Sequence, residues 1–189
     1  MAKKGLKGFA NLRVFPVTTN NDTTYAVGEK VLVPSVVSGT TDLSVQDYTL
    51  YADDGIYDSG SDFQSATLEV VVQELPLELH ATLDGAEYDD QTGVYAWGPG
   101  VVSPELALGF SALMRNGGYL MVQYYSVKAT SIKVDYATKG SNQEGSPYTI
   151  TFQASTRMAD NTLYRKKEAE NAAGLTWLDT VDTLPVSGG

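Results

Sequence analysis

The sequence predicts a mainly β domain, a sandwich or barrel with one flanking α-helix, and three observations carry that expectation. Several short segments alternate polar and apolar residues with the period of two that a half-buried strand requires. One segment, residues 119–127, is apolar on both faces, as a strand covered on both sides would be, its outer face by a helix or by a neighbouring subunit. Between segments stand Gly, Asn and Asp turns, above all Asn116-Gly117-Gly118, whose residues tolerate the positive φ of a tight hairpin. A chain of 189 residues with 42% hydrophobic content is the size of one domain. Residues 1–189 therefore read as a single unit, with residues 1–14 as an N-terminal arm and 165–189 as a C-terminal segment.

In residues 66–73, Leu68, Val70 and Val72 point inward against Thr67, Glu69, Val71 and Gln73. A short helix follows over residues 76–84. Pro76 suits a first turn, Leu75, Leu79 and Leu83 recur every four residues, and Gly85 can close the end. Residues 106–114 contain good helix formers, yet Gly109 and the hairpin signal downstream favour a strand paired with 119–127. In residues 131–136 the inward set is Ile132, Val134 and Tyr136. In 148–154 it is Tyr148, Ile150, Phe152 and Ala154. The tail predicts a helical turn near residues 169–173, then an apolar anchor, Leu175-Thr176-Trp177-Leu178.

The same sequence argues against most chemistry. Without cysteine there is no disulfide, thiolate metal site or cysteine nucleophile, and synthesis in a reducing cytoplasm fits. The basic start is not followed by the apolar run of a secretory signal, and no segment reaches membrane-spanning length, so no membrane insertion is expected. His80 is the sole histidine; a histidine metal cluster is excluded, and a triad would have to use this one ring, with no Gly-x-Ser-x-Gly elbow to serve it. Gly98-Pro99-Gly100 lacks the rest of a phosphate loop. Two acidic groups, Asp53, Asp54, Asp58 and Asp62, and Asp84, Glu87, Asp89 and Asp90, do not match calcium-loop spacing and read as turn aspartates. The expectation is a protein that is not an enzyme and needs no cofactor or metal.

Charge is unevenly placed. Net charge is -10, and between Lys30 and Arg115 there are fourteen acids and no Lys or Arg. Such a stretch is either a solvated face or a surface that meets a basic partner or repels a polyanion, and it disfavours sequence-specific nucleic-acid binding. Twelve tyrosines and two tryptophans suit a protein interface or a sugar-binding groove.

Several segments, in order, resemble the major tail proteins of long-tailed, non-contractile bacteriophages. They are Leu50-Tyr51-Ala52-Asp53-Asp54-Gly55-Ile56-Tyr57, Phe63, Ala66-Thr67-Leu68-Glu69, Leu83-Asp84-Gly85 and Pro104-Glu105-Leu106-Ala107-Leu108-Gly109-Phe110. Tyr136-Ala137-Thr138-Lys139-Gly140, Ile150-Thr151-Phe152-Gln153-Ala154 and Trp177 continue the series, which spans residues 6–181. The resemblance implies a tail-tube-like β-sandwich or barrel whose copies close into hexameric rings. The rings stack into a tube that holds the tape-measure protein in its lumen, meets tail-end proteins and later passes DNA without sequence preference. It implies a virion tail location after assembly in the host cytoplasm. By the same analogy the loop over residues 48–63, the N-terminal arm and the C-terminal segment contact neighbouring subunits. The interface candidates are Lys3, Lys4, Lys7, Tyr51, Asp53, Asp54, Tyr57, Phe63 and Trp177. The alternative reading is a carbohydrate-binding β-sandwich module.

Overall fold

The computed structural model describes residues 5–52, 55–134, 136 and 146–182. The chain begins with β1 (Leu6–Asn20), β2 (Tyr25–Val27), β3 (Val31–Leu32), β4 (Val36–Ala52) and β5 (Gly55–Val72). The helix α1 (Leu77–Asp84) and a small separate hairpin, β6 (Glu87–Asp89) with β7 (Val94–Ala96), come next. Then follow β8 (Leu106–Met114), β9 (Tyr119–Val134), β10 (Tyr148–Ser155), β11 (Tyr164–Ala169) and a 3₁₀ helix (Ala172–Asp179). The main sheet is antiparallel in the order β2-β1-β8-β9-β10-β5-β4, with β3 also on β1 and β11 also on β9.

The mainly β expectation holds, and α1 is the flanking helix. Leu75, Leu79 and Leu83 of the predicted stripe are all buried and close the core formed by Leu68, Val70, Val72, Leu106, Ile150 and Phe152. Fully burying a leucine of this kind is worth about 1.5–3 kcal/mol. Gly85 ends the helix at φ 81°, donating its N–H to the Ala81 carbonyl; a Cβ there would lie 2.4 Å from the Val102 carbonyl oxygen. Only glycine meets both demands.

Two predicted strands, 119–127 and 131–136, are one. β9 runs unbroken for 16 residues, and its register against β10 shifts between Ala129 and Ser131. The bulge moves the core-facing set from Val127 and Ala129 to Ile132, so one strand reads in sequence as two. Tyr136, expected inward, lies beyond the strand end and is 90% exposed. The doubly apolar stretch of β9 is covered from within the chain: one face joins the main core. Tyr125, on the other, packs with Phe15, Tyr25, Ala107 and Val181, and the 3₁₀ helix also lies against β9. That strand therefore needs no neighbouring subunit to cover it.

The chain ends also differ from expectation. The predicted N-terminal arm is sheet from Leu6 onward, paired along β8 from Met114 to Leu106. Its alternation was hidden by a bulge at Asn11, which sits at φ 57° where the register shifts between Ala10 and Arg13. The helical turn predicted near residues 169–173 starts a few residues later, as the 3₁₀ helix Ala172–Asp179, while helix-forming Arg165, Lys166, Lys167 and Glu168 before it are held extended in β11 by pairing with Gln123 through Leu120. Tertiary pairing overrides local propensity there.

Candidate interaction surfaces

The β4–β5 hairpin changes character along its length. Residues 66–72 of β5 pair with β4 on one side and β10 on the other. Among the described residues, 55–65 pair with β4 alone, so the two strands continue past the sheet as a free ribbon. Residues 55–65 of β5 lie against residues 44–52 of β4, and at about 3.3 Å per residue a ribbon of this length reaches on the order of 30 Å. A ribbon of two strands is marginal alone in water. It also carries apolar surface: Val45 pairs with Phe63, and these are 52% and 43% exposed.

The expected loop over residues 48–63 is thus largely this ribbon. Its Asp, Ser and Gly content imitates a turn, and none of its described side chains is buried, so no buried alternation reveals strands. Of the interface candidates, Phe63 is on the exposed face, while Tyr51 and Tyr57 lie on the paired strands, Tyr51 opposite Ile56. Asp53 and Asp54 fall outside the described residues, as do Lys3 and Lys4.

A second surface lies where the sheet curls back on itself. The β1 and β4 edges approach without pairing, and the Phe9 ring covers Gly39 so closely that a Cβ there would sit 2.6 Å from the ring. Beside this contact opens a cleft of about 490 Å³ lined by Leu6, Phe9, Val37, Leu120, Lys7 and Lys166, among others. Leu6 and Val37 are 55% and 56% exposed. Lys7, an interface candidate, stands at its rim, and the Lys166 Nζ lies 4.7 Å from the Tyr164 ring centre.

The C-terminal segment is tied to its own sheet. Buried Gln123 donates from Nε2 to the carbonyls of Trp177 (3.0 Å) and Thr180 (2.7 Å). Asp179 pairs with Arg13 at 3.1 Å and with Lys30 at 2.5 Å. Arg157 is fully buried with its guanidinium over the Tyr25 and Tyr125 rings, donates to both Asp160 oxygens and reaches the Asp182 carbonyl at 2.6 Å. The guanidinium holds the Asp160 carboxyl well below the usual carboxylate range. Trp177 accordingly is half-buried against this chain. The residue that sequence reasoning missed is Arg157: a lone arginine in a polar stretch carries no pattern that announces burial.

The fourth feature is a cleft of about 380 Å³ at α1, lined by His80, Asp84, Tyr95, Trp97 and Ser103 among others. The His80 ring stacks on Tyr95 at 4.8 Å, its Nε2 lies 3.6 Å from Asp84, and the Tyr95 hydroxyl donates to Asp84. Burial pushes the imidazole pKa down, against the pull of Asp84. Burial and the Asp84 contact push the Tyr95 phenol up to about 12. The ring contacts are those of a packed aromatic cluster, with Tyr148 edge-on to His80 at 6.5 Å between ring centres. Asp84 also accepts from the Ala86 N–H, and Asp89 from Gln91 and Thr92, which makes both turn-capping aspartates. Among the described residues no group of three or more His, Asp or Glu could hold a metal ion.

No protein-family model matches the chain, and no curated protein matches it. Among solved structures, it is similar to the anti-feeding prophage cap, a tube-terminating cap seen by cryo-electron microscopy. The identity is 10% and the TM-score 0.45, over 89% of this chain and 95% of that one.

Proposed function

We propose that the chain is a non-catalytic structural subunit of a bacteriophage tail, the tail-tube protein of a long-tailed, non-contractile phage. The observation that carries this reading is the free β4–β5 ribbon. It leaves the sheet with exposed apolar residues on strands paired only to each other, an arrangement whose stability and solubility are best served by a protein partner. The ordered segments that resemble major tail proteins supply the identity of that partner: further copies of the same chain. Contacts of this head-to-tail kind make rings where they close and filaments where they do not. In this reading hexameric rings stack around the tape-measure protein, tail-end proteins bound the tube, and DNA later passes through the lumen.

The long acidic stretch fits the same role. A basic wall would bind phosphates and slow their passage, whereas a wall rich in carboxylates would not. Negative-stain microscopy of the purified chain, with light scattering across a concentration series, tests the reading. Rings or tubes are expected; a monomer at every concentration would overturn it. A carbohydrate-binding module is the second reading, favoured by the cleft in which Trp97, 63% exposed, stands with the His80–Tyr95 stack. It predicts a monomer whose melting temperature rises with a glycan.

A further inference from the structure

We infer that the cleft at the β1–β4 seam is the receptor for the β4–β5 ribbon of a second copy, gripped by apolar contact and by lysine–aspartate attraction. The inference rests on the assembly reading above and names the two surfaces that meet. Three observations carry it.

The first is a match of apolar surface. The ribbon offers the cross-strand pair Val45 and Phe63, and the cleft offers Leu6, Val37 and Leu120. An aromatic side chain entering an apolar pocket is the usual anchor of a protein interface.

The second is a match of charge. The ribbon lies wholly inside the stretch with no Lys or Arg, and Asp47, exposed, is two residues from Val45 on the same strand and so on the same face. The cleft carries Lys7 and Lys166, both exposed. Opposite charges at a rim steer encounter and set register.

The third is that the contact cannot form within one chain. Residues 37–41 of β4 are themselves a wall of the cleft, and the same strand runs on without a break into the ribbon. A continuous strand cannot turn back into the cleft it borders. The ribbon of another copy can enter, and because the two surfaces are different patches, the contact propagates from copy to copy.

A charge-exchange experiment on the full chain tests this. Lys7→Glu/Lys166→Glu in the cleft and Asp47→Lys on the ribbon are made separately and then together, and association is followed by light scattering and sedimentation velocity. Circular dichroism and melting temperature, expected unchanged because the three residues are exposed, confirm that each variant folds. Each charge reversal is expected to raise the concentration for half-association at least about tenfold, equivalent to about 1.4 kcal/mol. The combined variant is expected to recover most of that loss. If the losses simply add in the combined variant, or if neither reversal weakens association while the wild type still assembles, the pairing of these two surfaces is wrong and the assembly reading survives. If the wild type never associates, both fall.

Discussion

One strand shows both regimes of this molecule. In β5, Leu68, Val70 and Val72 are buried under α1 with β4 and β10 to either side. Five residues before Leu68 the same strand has β4 as its one neighbour among the described residues, and Phe63 is exposed. The backbone hydrogen bonds to β4 continue across the boundary, so they are not what separates the two halves. What separates them is β10, whose pairing ends at Ala66, and with it the burial of apolar area, the dominant favourable term in folding. The body of the domain is stabilised by what it hides, and the ribbon is kept by pairing alone until something else covers it.

Removing a buried support in the body should have the largest effect. Arg157→Ala strips the guanidinium from between Tyr25 and Tyr125 and leaves Asp160, whose side chain is 12% exposed, without its fork. Breaking a buried pair on one side typically costs about 3–5 kcal/mol, and denaturant unfolding would measure it. The same pair gives an acid dependence. Because the folded Asp160 pKa is depressed, its contribution is present above the unfolded value near 4 and is lost as pH falls through the folded value. In Asp160→Asn that acid-side loss should shrink. If Arg157→Ala unfolds at the wild-type denaturant concentration, the segment it ties down contributes little.

Next in size is the helix end. Gly85→Ala puts a Cβ 2.4 Å from the Val102 carbonyl oxygen at a φ of 81°, so backbone strain and a clash with another backbone segment combine. The expected loss is about 3 kcal/mol. Gly93→Ala, also at positive φ but with nothing within 4 Å, isolates the strain alone and should cost about 1 kcal/mol. Equal losses at the two glycines would show that the contact with Val102 yields easily.

The contrast between body and ribbon also marks what was legible in the sequence. Where one face of a strand is buried and the other wet, as at Leu68, Val70 and Val72 or Ile150 and Phe152, alternation identified the strand and its inward side. Bulges defeated that signal at Asn11 and again between Ala129 and Ser131, because each shifts the phase by one residue. Among the described residues of the ribbon none is buried, so residues 48–63 looked like a loop. β11 was invisible for a third reason: its charged, helix-favouring residues are extended only because β9 offers them a partner. The seam cleft was illegible altogether, since Lys7, Val37 and Lys166 come together only through the curl of the sheet.

His80 allows a smaller and cleaner test. It is the only histidine, and burial lowers its pKa in the fold. The unfolded chain therefore binds more protons between the folded value and about 6.5, so stability rises with pH across that window and levels off above it. Unfolding free energy measured from about pH 5 to 7 should show this slope in the wild type, and His80→Gln should flatten it. An unchanged slope in the variant would show that the ring has no part in it.

The smallest expected effect sharpens the comparison most. Phe63→Ser removes an aromatic ring, a change that in a core costs about 3–5 kcal/mol. Here the ring is 43% exposed on a ribbon outside the core, and the isolated chain should lose no more than about 0.5 kcal/mol. Hydrogen exchange on the isolated chain supplies the matching map. Amides of residues 66–72, clamped between two strands under the core, should open only with the whole domain, whereas those of residues 59–63 should exchange through local fraying of the ribbon. Protection that stays uniform along β5 would mean that strand pairing alone holds the ribbon as firmly as burial holds the body. Protection that steps down near Ala66 in the isolated chain, and rises in the ribbon when the chain assembles, would place the missing cover on another copy.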